Sequence, residues 1–136
     1  MTELPKIGEI ITSERAIELC NHFEFYDISR RIGESPEEYL SWEFDGGSKL
    51  PDELVARVFN VDESKLIEVF LKHDLWYAYG LPGDRTSKLK CDWHLGIDLL
   101  DIGIPEEVAR AAVVMVDMFG RMPESGFEWG FASVIG

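Results

Sequence analysis

Residues 61–103 carry two segments of helical periodicity separated by one break, Gly80-Leu81-Pro82-Gly83, and no other pattern constrains the chain as strongly. In "VDESKLIEVFLKHDLWYAYG" Asp62 is placed to cap a helix. Leu66, Ile67, Phe70 and Tyr77 then recur on one face, and Gly80 stops it. "SKLKCDWHLGIDLLDIG" resumes the pattern and closes at Gly103. A short connection between two helices makes them antiparallel neighbours. "IPEEVARAAVVMVDMFG" adds a third helix, with Pro105 as its first helical residue, two glutamates in its first turn and Gly120 at its end. The expected fold is mainly α. It is a single small helical domain over residues 1–136, built around an antiparallel pair at about 62–80 and 87–102, with a further helix at 105–119 and little or no β-structure.

The flanking regions are read as additions to that centre. Residues 1–40 form an N-terminal helical extension. In it, "TSERAIELCNHF" has Ser13 as cap and Ala16, Leu19, Cys20 and Phe23 as its apolar face, and "SPEEYLSW" starts a short helix at Pro36 behind Ser35. Paired glycines in "FDGGS" break the chain before "LPDELVARVF" restarts a short helix. The tail, 121–136, alternates Phe127, Trp129 and Phe131 around glycine, as a short strand or an extended segment laid over the helices.

Charge narrows the function classes. Thirteen Lys and Arg against 26 Asp and Glu give a formal net charge of −13. Nucleic-acid binding needs cations to neutralise phosphates, so it is not expected, and neither is stable docking on an anionic membrane. A basic protein partner suits the charge. The cysteines, Cys20 and Cys91, have no metal-ligand spacing and make no disulfide framework, so free buried thiols are expected. With neither a basic leader and apolar core at the N-terminus nor a membrane-length apolar run, the sequence reads as a soluble cytoplasmic protein.

The helix pair also concentrates polar chemistry. His73 lies seven residues before Gly80, ~10 Å along its helix at 1.5 Å per residue, and Asp92 lies ~8 to 9 Å into the next. Antiparallel packing brings the two to one level. Tyr77 is one turn from His73 on its face, within reach of the same carboxylate. Asp74, rotated by roughly 100°, points to the adjacent sector. Two readings stand. A carboxylate on one imidazole nitrogen fixes the tautomer and leaves the other as a base for activating water. Alternatively, the three residues form an interhelical hydrogen-bond set that fixes helix register.

"HDLWY" matches the H-D-x-x-Y helix signature of phospholipase A2-like proteins, whose following helix carries the Asp that pairs with the His. The chain also resembles a bacterial and phage family of unknown function that combines D-x-x-S-x-P, H-D-x-x-Y, A-D-x-x-F and a terminal helix ending near F-G. Here those elements are "DGGSKLP", "HDLWY", "CDWHL" and "MVDMFG". The likeness covers roughly residues 44–120. The phospholipase resemblance implies His73 as general base, Asp92 as its orienting partner and Tyr77 as a hydrogen-bond donor to Asp92. It also implies Asp74 as a calcium ligand, with backbone carbonyls near Gly46 and Gly47 completing the shell. Calcium is the one cofactor it implies. The Cys-rich calcium loop and the disulfide framework of that family have no counterpart here.

Other polar residues have simpler explanations. His94 and Asp98, spaced i,i+4, suit a solvated face or one hydrogen bond, and His94 points about 200° away from Asp92. His22 sits near a helix end, where a cation favours the dipole. The first expectation is therefore a non-catalytic binding module on a phospholipase-like helical hairpin, with a basic protein partner, as antitoxin and immunity proteins have. The alternative is a small lipase- or esterase-like hydrolase using His73 and Asp92, with calcium at Asp74.

Overall fold

The computed structural model describes residues 3–46, 52–122 and 128–134. Six α-helices lie in the described residues: α1 (Ser13–His22), α2 (Tyr26–Glu34), α3 (Asp52–Phe59), α4 (Glu63–Ala78), α5 (Arg85–Asp101) and α6 (Glu106–Gly120). The only sheet among them pairs β1 (Ile10–Ile11) antiparallel to β2 (Trp42–Glu43), with Ile10 opposite Glu43 and Ile11 opposite Trp42. The protein is mainly α, as its periodicity requires. No helix among the described residues is long and apolar enough to cross a membrane.

Helix α4 holds the molecule together because two hydrophobic cores use its two sides. Leu71, Leu75 and Ala78 join Ile11, Leu19, Ile32 and Phe44 in one cluster. Leu66, Val69 and Phe70 join Leu95, Leu99, Ile104 and Ala109 in the other. A helix covered on both sides needs apolar residues on both, so the apolar residues of α4 are not confined to one stripe. α5 packs against α4 and α6 against α5 as an antiparallel ladder.

The helix ends show how the chain turns. Asp62 caps α4 through the Ser64 amide, as expected. Asp84 caps α5 through Ser87, so α5 starts at Arg85, two residues before the expected boundary. Thr12, not Ser13, accepts from the Arg15 amide at the start of α1, because Ser13 is already helical. Pro105 is the N-cap of α6 and lies outside the helix. "SPEE" forms only one 3-10 turn, Pro36–Glu38, with no side-chain cap from Ser35.

Helix α2 was not anticipated. The turn that separates it from α1 puts Glu24 in the left-handed region at φ 62°, with Phe25 N–H donating to Cys20 C=O. This is the helix-ending motif usually marked by glycine, and glutamate in that position conceals the boundary. Gly103, in the same role after α5, was legible: its φ is 103°, and Ile104 N–H donates to Leu99 C=O.

The described part of the tail crosses the C-terminal end of α4. Gly130 N–H donates to Tyr77 C=O and Ala132 N–H to Ala78 C=O, satisfying carbonyls that a helix end leaves orphaned. Ser133 makes an isolated bridge to Tyr39. Trp129 donates from Nε1 to Leu81 C=O and sets its ring edge-on to Tyr77. Phe127 and Gly47 lie outside the described residues.

Candidate functional site

Asp92 comes from the middle of α5, on the face turned to α4, and His73 from the matching level of α4. The pair approaches to 3.5 Å, His73 Nε2 to Asp92 Oδ1. Both side chains are buried, and neither of these two atoms makes a hydrogen bond. The Tyr77 ring lies over the His73 ring at 4.7 Å between centroids. Its hydroxyl donates to the Val116 carbonyl of α6 at 3.1 Å, not to the Asp92 carboxylate. A tyrosine has one proton to give, and α6, running alongside, supplies its acceptor.

Asp74 departs from the direction its helical position indicates. Its Oδ1 stands 3.7 Å from His73 Nδ1, because neighbouring side chains on a helix can still meet when the shorter one folds back. Both imidazole nitrogens therefore face carboxylates. Gly46 is buried and adopts φ 73°. No group of three or more His, Cys, Asp or Glu side chains with metal-holding geometry occurs among the described residues. His94 packs its ring against Trp76 at 5.5 Å, and Asp98 pairs with Lys72 at 3.2 Å. His22 packs edge-on against Phe23.

The cluster extends through a residue that sequence reasoning passed over. Lys88 is only 4% exposed, and its Nζ donates to Asp92 Oδ2 at 2.9 Å and to Asp117 Oδ1 of α6 at 2.7 Å. It also lies 5.9 Å from the Tyr77 ring centroid, over the face. Asp117 Oδ2 is paired in turn with Arg121 at 3.2 Å. The result is a ladder of alternating charge across three helices: Asp74, His73, Asp92, Lys88, Asp117 and Arg121. The i,i+4 spacing of Lys88 and Asp92 was its one readable signal.

Burial and charge act against each other at His73. Burial disfavours the imidazolium, but the adjacent Cys91 sulfur and then the Asp74 and Asp92 carboxylates, one at each nitrogen, act the other way and raise the pKa well above its ordinary value. Burial pushes the neighbouring Cys91 thiol up, against the lowering effect of His73. Burial, then the Asp92 charge, raises the Tyr77 phenol far beyond its usual range. The hydrogen bond from Lys88 lowers Asp117.

One cleft lies on the other side of α4. A cleft of about 360 Å³ is lined by Leu4, Pro5, Lys6, Ile7, Ser64, Ile67, Glu68 and Leu71. Positions 64, 67, 68 and 71 lie opposite His73 around the helix. No protein-family model, curated protein or solved structure matches the chain.

Proposed function

We propose that the protein is a non-catalytic interaction module built on a phospholipase A2-like helical hairpin, with an acidic surface that receives a basic protein partner. The observation that carries this reading is the pair of carboxylates on His73, Asp92 at Nε2 and Asp74 at Nδ1. A general base needs one nitrogen with a free lone pair, within hydrogen-bond reach of the proton it removes. A buried imidazole flanked on both sides by carboxylates is held as a cation and has none to offer. Asp92 is committed to Lys88 through its other oxygen, so it acts as the centre of a charge ladder. The net charge of −13 supplies long-range attraction for a basic surface.

A hydrolase using His73 and Asp92, with calcium at Asp74, is the second reading. It draws on the 3.5 Å approach of the two side chains at the level where the H-D-x-x-Y resemblance places a dyad. Two measurements separate the readings. Wild type and His73→Ala are assayed on nitrophenyl esters and on phospholipid vesicles, with and without Ca²⁺. The interaction reading expects both proteins at background. Turnover that disappears in His73→Ala, or a Ca²⁺-dependent rise in melting temperature that vanishes in Asp74→Asn, establishes the hydrolase instead.

A further inference from the structure

Helices α5 and α6 turn a continuous apolar face outward. On α5, Leu89, Trp93, Ile97 and Leu100 follow helical spacing at 55%, 68%, 37% and 46% exposure. On α6, Val114, Met115 and Met118 do the same at 59%, 38% and 49%, and Met122, just past the helix end, is 38% exposed. Gly96 of α5 meets the Val113 side chain of α6, and Lys88 meets Asp117, which fixes the facing sides of the two helices. Around each helix the exposed stripe begins next to that facing side. In an antiparallel pair, both stripes then open in the same direction. Together they present on the order of 700 Å² of apolar surface, more than a monomer's largest patch usually offers and close to one partner's share of a standard interface, about 800 Å².

Charge says what covers it. Residues 85–122 hold five basic and six acidic side chains, a net charge of −1, so −12 of the total −13 lies elsewhere on the chain. The face is a broad surface on which two copies of this acidic protein meet without strong repulsion. Its two ends also differ in sign. Arg85, Lys90 and Arg121 lie exposed at one end, and Asp101, Glu106 and Glu107 at the other, where Arg110 pairs with Glu106. A two-fold axis lying in the face and perpendicular to the helices sets the basic end of one copy on the acidic end of the other. The face is thus complementary to itself, which is the requirement of an isologous dimer.

We propose that the protein forms a two-fold dimer through the α5–α6 face, the two helix pairs packing antiparallel, face to face, as a four-helix bundle centred on Trp93. The dimer leaves most of the acidic surface free, so it stands or falls independently of the interaction reading above.

Sedimentation velocity over the micromolar range tests the proposal. Wild type is expected at twice the 15.5 kDa chain mass. Trp93→Glu and Met118→Glu, which place a charge on already exposed positions, are expected to run as monomers with unchanged circular dichroism at low temperature. Val58→Glu, an exposed apolar position on α3, should remain dimeric. Lys90→Glu should weaken association by about tenfold or more, and Lys90→Glu combined with Asp101→Lys should restore it, since exchanging the two ends preserves their complementarity. A monomeric wild type overturns the dimer and leaves the face to a different protein. A dimer that survives both Trp93→Glu and Met118→Glu places the interface elsewhere, and failure of the charge exchange to restore association overturns the antiparallel arrangement.

Discussion

His73 Nδ1 and Asp74 Oδ1 stand 3.7 Å apart, so the ring nitrogen opposite Asp92 meets a second carboxylate. On the interaction reading, that relationship makes His73 a structural cation. Removing it leaves Asp92 Oδ1 buried beside a void. His73→Ala should therefore cost about 2 to 3 kcal/mol, from the lost attraction between the ring and the buried Asp92 carboxylate plus lost packing. Urea unfolding followed by circular dichroism measures it. A loss under about 0.5 kcal/mol, the size of an ordinary surface substitution, would show that the ring contributes nothing to the ladder.

Lys88 is the strongest test of the ladder because it neutralises two carboxylates from inside the protein. Lys88→Met keeps the aliphatic stem and removes the charge, stranding the deeply buried Asp92. Breaking one partner of a buried ion pair costs about 3 to 5 kcal/mol. Asp117 is 31% exposed on its side chain and solvent screens it, so Asp117→Asn should cost less than about 1 kcal/mol. Equal losses for the two variants would mean that Lys88 serves Asp117 and not Asp92.

The ladder also sets a pH dependence. A histidine whose pKa is raised by folding binds its proton more tightly in the native state. Its contribution to stability is complete below the unfolded pKa of about 6.5 and is lost as pH rises through the higher folded value. The groups facing it are Asp74 and Tyr77 on α4, Asp92, Lys88 and Cys91 on α5, and, beyond Lys88, Asp117 on α6. Asp117 titrates the other way: its pKa is lowered, so its contribution is present above about pH 3.9 and is lost as pH falls through the folded value. Wild type should therefore lose stability from near neutrality into the alkaline range, and His73→Gln should flatten that limb. The two proteins' unfolding free energies, measured across the range, give the comparison. Identical slopes would remove His73 from the linkage.

What the sequence disclosed, and what it hid, follows from the kind of signal each feature leaves. The α4–α5 pair was readable because Asp62, Gly80 and Gly103 mark helix ends by local chemistry, and counting along two antiparallel helices brings His73 and Asp92 to one level. Helix α2 was hidden because Glu24 occupies a left-handed position that normally announces itself with glycine. The direction of Asp74 was misjudged because helical position fixes where Cβ points, not where a short carboxylate folds. Lys88 was overlooked for a different reason: a lysine in a polar-looking stretch reads as surface, and only the approach of α6 with Asp117 buries it. The Tyr77 hydroxyl likewise found an acceptor on a helix distant in sequence.

Two helical glycines carry opposite expectations. Glycine inside a helix ordinarily costs about 0.5 to 1 kcal/mol relative to alanine, so Gly→Ala should stabilise wherever a methyl group fits. At Gly33 in α2, an added Cβ meets only Ile17 Cδ1 at 3.9 Å, an ordinary contact. Gly33→Ala should raise stability by about that amount. At Gly120, the last residue of α6, the same methyl group runs into the Tyr77 hydroxyl and the Lys88 stem. Neither can retreat without giving up a bond, the tyrosine to Val116 or the lysine to the two aspartates. Overpacking of about 1 to 3 kcal/mol then exceeds the helix gain, and Gly120→Ala should destabilise. Thermal unfolding of the two variants side by side decides it. A melting temperature that rises in both would mean that α6 can move away from Lys88, and that the ladder is looser than its 2.7 Å contact with Asp117 indicates.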